Sequence, residues 1–345
     1  VIMSLFLSLG AGTILSGVGV ADALMQPAKT YLQIVGGFCI LNALIPICSS
    51  YLRAFGFSKE PLYASIIGNV INFCLNAFFL FVLHKGVAGV ATATVISRII
   101  NLVIVVLLGA VLVKAKQHPE RESNRAVMGQ IIRIGLPSAC ETAIYNVSMT
   151  LVIRFLNQMD AQGLNVTARS YTMQITNFSY CVGAALAQAN AIMTGWHIGA
   201  KEYDACDRGT KKAAVIGVIV AVILETVFTL CSGWIMQLFS KDPQMVSLVG
   251  KLLAIDIVLE IGRVTNLVYG QALKTSGDAV FPVVMGACFM ILCSVGGTYL
   301  FGIRLGLLAV GAYIGMAGDE CVRAVGMYLR WKSGKWKEKG LVKSR

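Results

Sequence analysis

Charged side chains are scarce in this chain. Asp, Glu, Lys and Arg make up 13% of the 345 residues, whereas hydrophobic residues make up 57%. A soluble protein carries about 25% charged residues, and the mean hydropathy here is +0.74. A water-soluble fold of this size could not hide so much apolar surface. The composition therefore excludes an ordinary soluble domain and predicts that lipid surrounds most of the side chains.

Motifs for catalysis and cofactor binding are also missing. The ten cysteines include no CxxC pair, and the histidines (His84, His118 and His197) are far apart in the sequence. There is no phosphate-binding GxxxxGK[ST] loop and no ordered Ser/His/Asp arrangement. These absences argue against a metal site, a disulfide scaffold, an enzyme and an ATP-driven pump. No cofactor is expected.

Long apolar runs are what the sequence has in abundance. A helix needs about 20 apolar residues to cross the hydrocarbon core of a bilayer, and polar breaks divide the chain into ten runs of that length. The predicted spans cover residues 1–20, 31–51, 62–84, 87–113, 134–156, 168–195, 212–239, 246–271, 279–302 and 305–329. We therefore predict an all-α polytopic membrane protein.

Basic residues set the orientation of these spans, because Lys and Arg accumulate in cytoplasmic loops. Nineteen of the 29 lie on one side of the predicted spans and six on the other. The basic side holds residues 114–133 and 330–345, so both are expected in the cytoplasm, with the spans in the plasma (inner) membrane. The net charge of +12 is thus a topology signal, and no nucleic-acid partner is expected.

Part of the sequence is repeated. Leu52–Gly56 followed by Pro61 matches Leu273–Gly277 followed by Pro282, and Gly86 then matches Gly306 after a one-residue adjustment. The first four spans therefore repeat as the last four, and partners for the fifth and sixth are expected upstream of Val1.

The repeat predicts ten spans of a twelve-span, two-lobed (6+6) transporter fold, in which two helical bundles move about a site between them. The predicted organisation is an N-terminal lobe at 1–113, a basic inter-lobe loop at 114–133, a C-terminal lobe at 134–329 and a basic tail at 330–345.

With these motifs the chain resembles the multidrug and toxic compound extrusion (MATE) family of efflux transporters. Besides the repeated loops, the matching features are Ile134–Pro137 opening a span with Glu141 one turn on, and small-residue helix starts at Gly86–Thr94 and Gly306–Gly315. The resemblance implies an antiporter that exports small, amphipathic organic cations in exchange for H⁺ or Na⁺. It runs from the third span of the family to the twelfth, which implies an N-terminally truncated chain, and a monomer is expected.

The chain departs from the family pattern at two positions. The span 134–156 corresponds to the seventh span of the family. About two turns after its proline, where some members have a carboxylate, this chain has Tyr145. In the span 246–271, which corresponds to the tenth span of the family, Arg263 stands where a cation-binding acid is expected. The functional residues of the family therefore cannot be transferred as a set, and the charges inside the spans have to be weighed one by one.

A cluster of charges in the span 246–271 is the first candidate for ion coupling, because ionisable groups at membrane depth are usually paired or functional. Asp256, Glu260 and Arg263 are four and three residues apart and so share one helix face. Two interpretations stay open: a structural Glu260–Arg263 ion pair, or a site where Glu260 and Glu141 compete for Arg263 and a proton. Asp256 is predicted to be a solvated entry acid near the outer end of the span.

Polar and aromatic side chains near these charges predict a substrate cavity. They are Tyr145, Gln174, Asn177, Phe178, Asn266 and Tyr269. A seam of hydrogen bonds between helices explains such residues equally well. A second charged group near the cytoplasmic end of the last span, Asp319, Glu320 and Arg323, is predicted either to fix helix packing or to lock a gate.

Three functions are compatible with the sequence. The first is a secondary-active multidrug exporter working by alternating access. The second is a lipid-linked oligosaccharide flippase of the same broad architecture, which would need a more strongly cationic cavity to hold pyrophosphate. The third is an inactive membrane fragment or scaffold. Asp256, Glu260 and Glu141 outnumber Arg263, and this balance favours cationic cargo.

Overall fold

The computed structural model describes residues 2–18, 22–114, 124–159 and 163–339. These residues are almost entirely helical, and each of the ten predicted spans is overlapped by one or two of the α-helices. Five helices in the described part are long and apolar enough to cross a membrane. Charge clusters lower the apolarity of others, including the helix that carries Asp256, Glu260 and Arg263. The prediction of an all-α polytopic membrane protein is confirmed.

The chain divides into two compact units, residues 1–121 and 122–345. The described helices of the first unit are α1 (Ile2–Leu9), α2 (Ala11–Val18), α3 (Asp22–Gly37), α4 (Leu41–Ala54), α5 (Lys59–Ala77), which continues as a π-helical segment (Phe78–Val82), and α6 (Gly86–Lys114). The core of this unit includes Leu52 and Ala64 of α4 and α5 packed with Val105 and Val113 of α6.

The second unit is built around one long helix. Its described helices are α7 (Asn124–Met159), α8 (Leu164–Gly199), α9 (Tyr203–Leu230), α10 (Ser232–Met236), α11 (Pro243–Thr275), α12 (Val280–Phe289) with π-helical segments at Met290–Val295 and Thr298–Arg304, α13 (Leu308–Lys332) and a 3₁₀ turn (Lys335–Lys339). Helix α11 packs extensively against α13, α8 and α9. Its charged residues are therefore enclosed by neighbouring helices.

A glycine brings α11 and α13 close together at the level of the charges. A Cβ atom on Gly262 would lie 2.7 Å from the backbone of Glu320 and Cys321 on α13. Small residues at such a crossing let two helix backbones approach closely. The charged side chains on the facing sides of α11 and α13 are consequently within reach of one another.

The two copies of the repeated loop have the same backbone geometry. Gly56 follows α4 with φ of 89° and Gly277 follows α11 with φ of 93°. In each copy the next amide donates a hydrogen bond to the carbonyl five residues earlier, at 3.0 Å for Leu52 and 2.9 Å for Leu273. A left-handed glycine thus ends both helices in the same way.

The predicted match of Gly86 with Gly306 is wrong by two residues. Helix α6 begins at Gly86 but α13 begins at Leu308, and a π-helical segment precedes each. Gly89 and Gly311 then occupy the same place, because each lies against the phenylalanine ten residues earlier. Glycines are frequent in this chain, so a single glycine match in the sequence was a poor guide to the register.

Two predicted polar segments are partly helical. Residues 124–133 of the predicted loop belong to α7, and the predicted tail continues α13 to Lys332 before the 3₁₀ turn. In that turn Trp336 stacks on Trp331 with 4.2 Å between ring centroids. A prediction based on hydropathy ends a span at the first charged residues, whereas the backbone hydrogen bonds of the helix continue past them. Residues 115–123 and 340–345 of these segments lie outside the described residues.

Candidate substrate and ion-coupling site

A cavity of about 550 Å³ lies within the second unit. Its walls come mainly from α7, α8, α11 and α13, and the volume is ordinary for a small-molecule site. The charged residues that line it are Glu141, Asp256 and Glu320 together with Arg169, Arg263, Lys274 and Arg323. The cavity wall therefore holds acids and bases in nearly equal number, and the excess of acids inferred from the sequence is not found there.

Arg263 is held between carboxylates on two helices. Its Nη1 lies 2.7 Å from Oε2 of Glu260 on α11, and its Nε lies 3.8 Å from Oε1 of Glu320 on α13. One turn further along α11, the amide of Asn266 donates a hydrogen bond to Oε2 of Glu320 at 3.0 Å. Glu260, Arg263 and Asn266 share one face of α11. Through Arg263 and Asn266, this face contacts Glu320 of α13.

The second charged group is continuous with the first. Arg323 binds Asp319 with both Nε and Nη2, at 2.9 and 3.0 Å, and its Nη2 lies 2.8 Å from Oε1 of Glu320. Ser294 donates a further hydrogen bond to Asp319 at 2.9 Å. Glu320 therefore stands between Arg263 and Arg323. The sequence suggested two separate groups, and the structure joins them into one network across α11 and α13.

Glu141 has a different partner from the one predicted. Its Oε2 lies 2.6 Å from Nζ of Lys274 in the last turn of α11, and it forms no ion pair with Arg263. The predicted span ends at residue 271 and leaves Lys274 outside it, but α11 continues to Thr275, about three turns beyond Arg263. Competition between Glu141 and Glu260 for Arg263 is therefore not the arrangement in this structure, although Glu141 and Arg263 line the same cavity.

Three buried carboxylates have oxygens without a hydrogen-bond partner among the described residues. They are both oxygens of Glu225, Oδ2 of Asp256 and Oε1 of Glu260. Asp256 is only 2% exposed, so the prediction of a solvated acid is wrong, because α8, α9 and α13 enclose this level of α11. Within the described parts of the chain, no group of three or more His, Cys, Asp and Glu residues is arranged to hold a metal ion.

The packing of α9 on α11 brings these acids to one level. Gly217 of α9 lies against Val264 of α11, and the two helices run in opposite directions because a short connection joins them. Glu225 and Asp256 are each eight residues from that contact, so they lie at the same height. The hydroxyl of Ser179 on α8 is likewise buried without a hydrogen-bond partner among the described residues.

The predicted cavity residues divide into two groups. Tyr145, Asn177 and Asn266 line the cavity, whereas Gln174, Phe178 and Tyr269 do not. Phe178 is 69% exposed, and Tyr269 is buried between Tyr328 and Trp331. Of the three predicted residues on α8, Asn177 lies on the face that lines the cavity, and Gln174 and Phe178 lie outside that face.

Arg169 is a cavity residue that the sequence reasoning missed. It lies at the edge of the predicted span 168–195 and is not among the predicted cavity residues, but the structure places it in the second turn of α8, where it is 6% exposed. It precedes Met173 by four residues and Thr176 by seven, and both of these residues also line the cavity. This helical spacing was the signal available in the sequence.

Comparison with known proteins agrees with this architecture. The family model described as MatE matches residues 1–78 and 137–300. The chain is 34% identical over 330 residues to the uncharacterized transporter YisQ of Bacillus subtilis (strain 168), covering 94% of this chain and 72% of YisQ. It is 22% identical to the probable multidrug resistance protein NorM of Thermotoga maritima, covering 98% of this chain and 76% of NorM. A crystal structure of MATE in the bent conformation superimposes with a TM-score of 0.82 at 18% identity, covering 98% of this chain and 75% of that chain.

Proposed function

The chain belongs to the MatE family of membrane transporters, and on this premise we propose that it is a secondary-active exporter that exchanges organic cations for H⁺. The observation that carries the proposal is the set of buried carboxylates with unpartnered oxygens, of which Asp256 lines the cavity. A buried carboxylate oxygen without a partner is stabilised by a proton or a cation. Glu225, Asp256 and Glu260 are therefore the groups that exchange protons for cargo.

Arg263 is the element that converts proton binding into movement. It has one carboxylate partner on its own helix at 2.7 Å and another on α13 at 3.8 Å. A proton on Glu260 removes the charge that holds Arg263 in the first position and favours its approach to Glu320. Two arrangements of this network then have different affinities for a proton and for a cationic substrate, as alternating access requires.

A lipid-linked oligosaccharide flippase is the second candidate. The observation that favours it is the presence of four basic side chains in the cavity wall, more than the sequence reasoning had counted. Arg263, Arg323 and Lys274 are each paired with a carboxylate, however. A pyrophosphate would have to displace these acids to find more than one free cation, and for this reason we rank export of organic cations first.

The test is uptake of a fluorescent organic cation into inverted membrane vesicles that contain the protein. An acidic vesicle lumen is expected to drive uptake, and Glu260→Gln is expected to reduce uptake to that of vesicles without the protein. The matched control is Glu202→Gln, which removes an exposed acid outside the cavity and should leave uptake unchanged.

Normal uptake by Glu260→Gln would contradict the assignment of Glu260. Uptake driven by a sodium gradient and not by a pH gradient would replace H⁺ with Na⁺ as the coupling ion. If neither gradient drives uptake, lipid-linked sugar becomes the next cargo to test.

A further inference from the structure

Arg169 has an unusual environment for a buried arginine. Two arginines in the described residues are at least nine-tenths buried, and Arg323 is paired with Asp319 and Glu320. Arg169 forms no ion pair with any described residue, and its Nε has no hydrogen-bond partner among them. Its Nη2 contacts the sulfur of Met149 at 3.7 Å, and a thioether is a weak acceptor.

An unpaired buried guanidinium requires an explanation. Its charge is costly away from water, and arginine does not lose its proton in proteins. Arg169 lines the cavity, so a molecule inside the cavity can supply the missing negative charge. Carboxylate, sulfonate and phosphate groups all match the forked donors of a guanidinium.

Asp256 offers the opposite charge elsewhere in the same cavity. It lines the cavity, is 2% exposed and has an unpartnered Oδ2. Gly183 of α8 lies against Val264 of α11, and these two helices run in the same direction. Arg169 precedes Gly183 by about six residues more than Asp256 precedes Val264. The two residues are therefore offset by about 9 Å along the helix axes. The buried ring of Tyr313 lines the same cavity.

We propose that this cavity binds zwitterionic amphipaths, with the anionic group on Arg169 and the cationic group toward Asp256. A purely cationic molecule leaves Arg169 unpaired, and a purely anionic one leaves Asp256 unpaired. A zwitterion satisfies both and places its apolar body against the cavity wall. This inference rests on the proposed function, for which it names the class of substrate.

The test is equilibrium binding of matched dyes to the purified full chain in lipid nanodiscs, followed by fluorescence anisotropy. A rhodamine with a free carboxylate and its ethyl ester differ only in the anionic group. We expect the wild type to bind the acid at least about tenfold more tightly than the ester, the effect of one charged hydrogen-bonded contact. A fluorescein dye, anionic without a cationic group, is expected to bind about tenfold more weakly than the zwitterion.

Three variants assign the preference to one side chain. Arg169→Gln is expected to lose the preference for the acid and to keep the affinity for the ester, whereas Arg169→Lys should retain most of the preference. Arg154→Gln is the matched control, since Arg154 is exposed on α7 and outside the cavity, and it should behave as the wild type. Melting temperatures establish that each variant is folded.

Two results would overturn the Arg169 subsite: unchanged binding of the acid by Arg169→Gln, or equal loss of acid and ester, which would indicate a structural role. Equal affinity for the fluorescein dye and the zwitterion would overturn the role of Asp256. Failure of the exporter proposal is separable, because binding is measured without an ion gradient. A wild type that shows the expected dye preferences and transports neither dye would refute coupled export and leave the subsite standing.

Discussion

At the level of single residues, the charges in the cavity wall fall into paired and unpaired sets. Arg263, Arg323 and Lys274 each have a carboxylate within 3 Å, whereas Arg169 and Asp256 have unpartnered atoms. Breaking a buried ion pair by removing one partner costs about 3–5 kcal/mol. The pairs of Arg263 and Arg323 lie within α11 and α13, and the pair of Lys274 with Glu141 joins α11 to α7. The unpaired set is free to bind ions and substrate.

A single glycine sets how closely the charged faces of α11 and α13 approach each other. We expect Gly262→Ala to destabilise the protein by about 1–3 kcal/mol, the usual cost of overpacking, because the new Cβ would meet the backbone of Glu320 and Cys321 at 2.7 Å. The two helices must then separate, which also lengthens the contact between Arg263 and Glu320. The measurement is the melting temperature in detergent.

The control for this prediction is Gly318→Ala on α13, where a Cβ meets nothing within 4 Å. Alanine favours a helix over glycine by up to about 1 kcal/mol, so this variant should melt at or above the wild-type temperature. A Gly262→Ala protein as stable as Gly318→Ala would show that the close helix crossing is unimportant.

At the level of secondary-structure elements, a buried aspartate ties three helical segments together. Asp278 lies between α11 and α12 and is 1% exposed. It accepts a hydrogen bond from Nε of Arg330 in α13 at 2.6 Å and from Nζ of Lys339 in the 3₁₀ turn at 2.7 Å. The segment predicted as a basic tail is thus held against the second unit by charge as well as by the stacked Trp336.

Loss of this link should release the C-terminal turn. We expect Asp278→Asn to cost about 1–3 kcal/mol, because two cationic donors lose their charged acceptor, and to make trypsin cleavage at the lysines of the 3₁₀ turn about tenfold faster. Limited proteolysis followed by mass spectrometry measures this rate. Glu338→Gln, an exposed change in the same turn, should cleave like the wild type, and equal cleavage of all three proteins would contradict the role of Asp278.

The same link predicts a pH dependence of stability. Burial alone would raise the pKa of Asp278, but the hydrogen bonds and charges of Arg330 and Lys339 outweigh it and hold the pKa below the ordinary value of 3.8. A lowered carboxyl pKa contributes stability above the unfolded pKa, and that contribution is lost as the pH falls through the folded value. The difference in melting temperature between wild type and Asp278→Asn should therefore be constant from neutral pH to about pH 5 and shrink below about pH 4. A difference that grows on acidification would contradict this assignment.

At the level of the whole molecule, the distribution of basic residues predicts the orientation in the membrane. Lys241 lies before α11 on the side with few basic residues, and Lys335 lies in the 3₁₀ turn on the basic side, and both are exposed. With exposed native cysteines replaced by serine, Lys241→Cys should react with an impermeant maleimide in intact cells. Lys335→Cys should react only after the cells are permeabilised. Labelling of Lys335→Cys in intact cells would show that the chain has the opposite orientation to the one predicted.

Local patterns in the sequence predicted much of the fold and part of the site. Helical spacing placed Glu260, Arg263 and Asn266 on one face of α11, and the structure has them there. The same reasoning failed for Lys274, whose partner Glu141 is 133 residues away. It also failed for Arg169, since a charge at the edge of an apolar run looks like a loop residue whether it faces water or a cavity.

The amino-acid sequence by itself determined the fold class, the spans and the repeated helix ends. These properties depend on the apolarity of about 20 neighbouring residues or on a glycine in one turn, and both are local. The tertiary structure alone decided which charges pair, which stay unpaired and which face of α8 lines the cavity. Those outcomes depend on distances between side chains on different helices, and such distances exist only once the helices have packed.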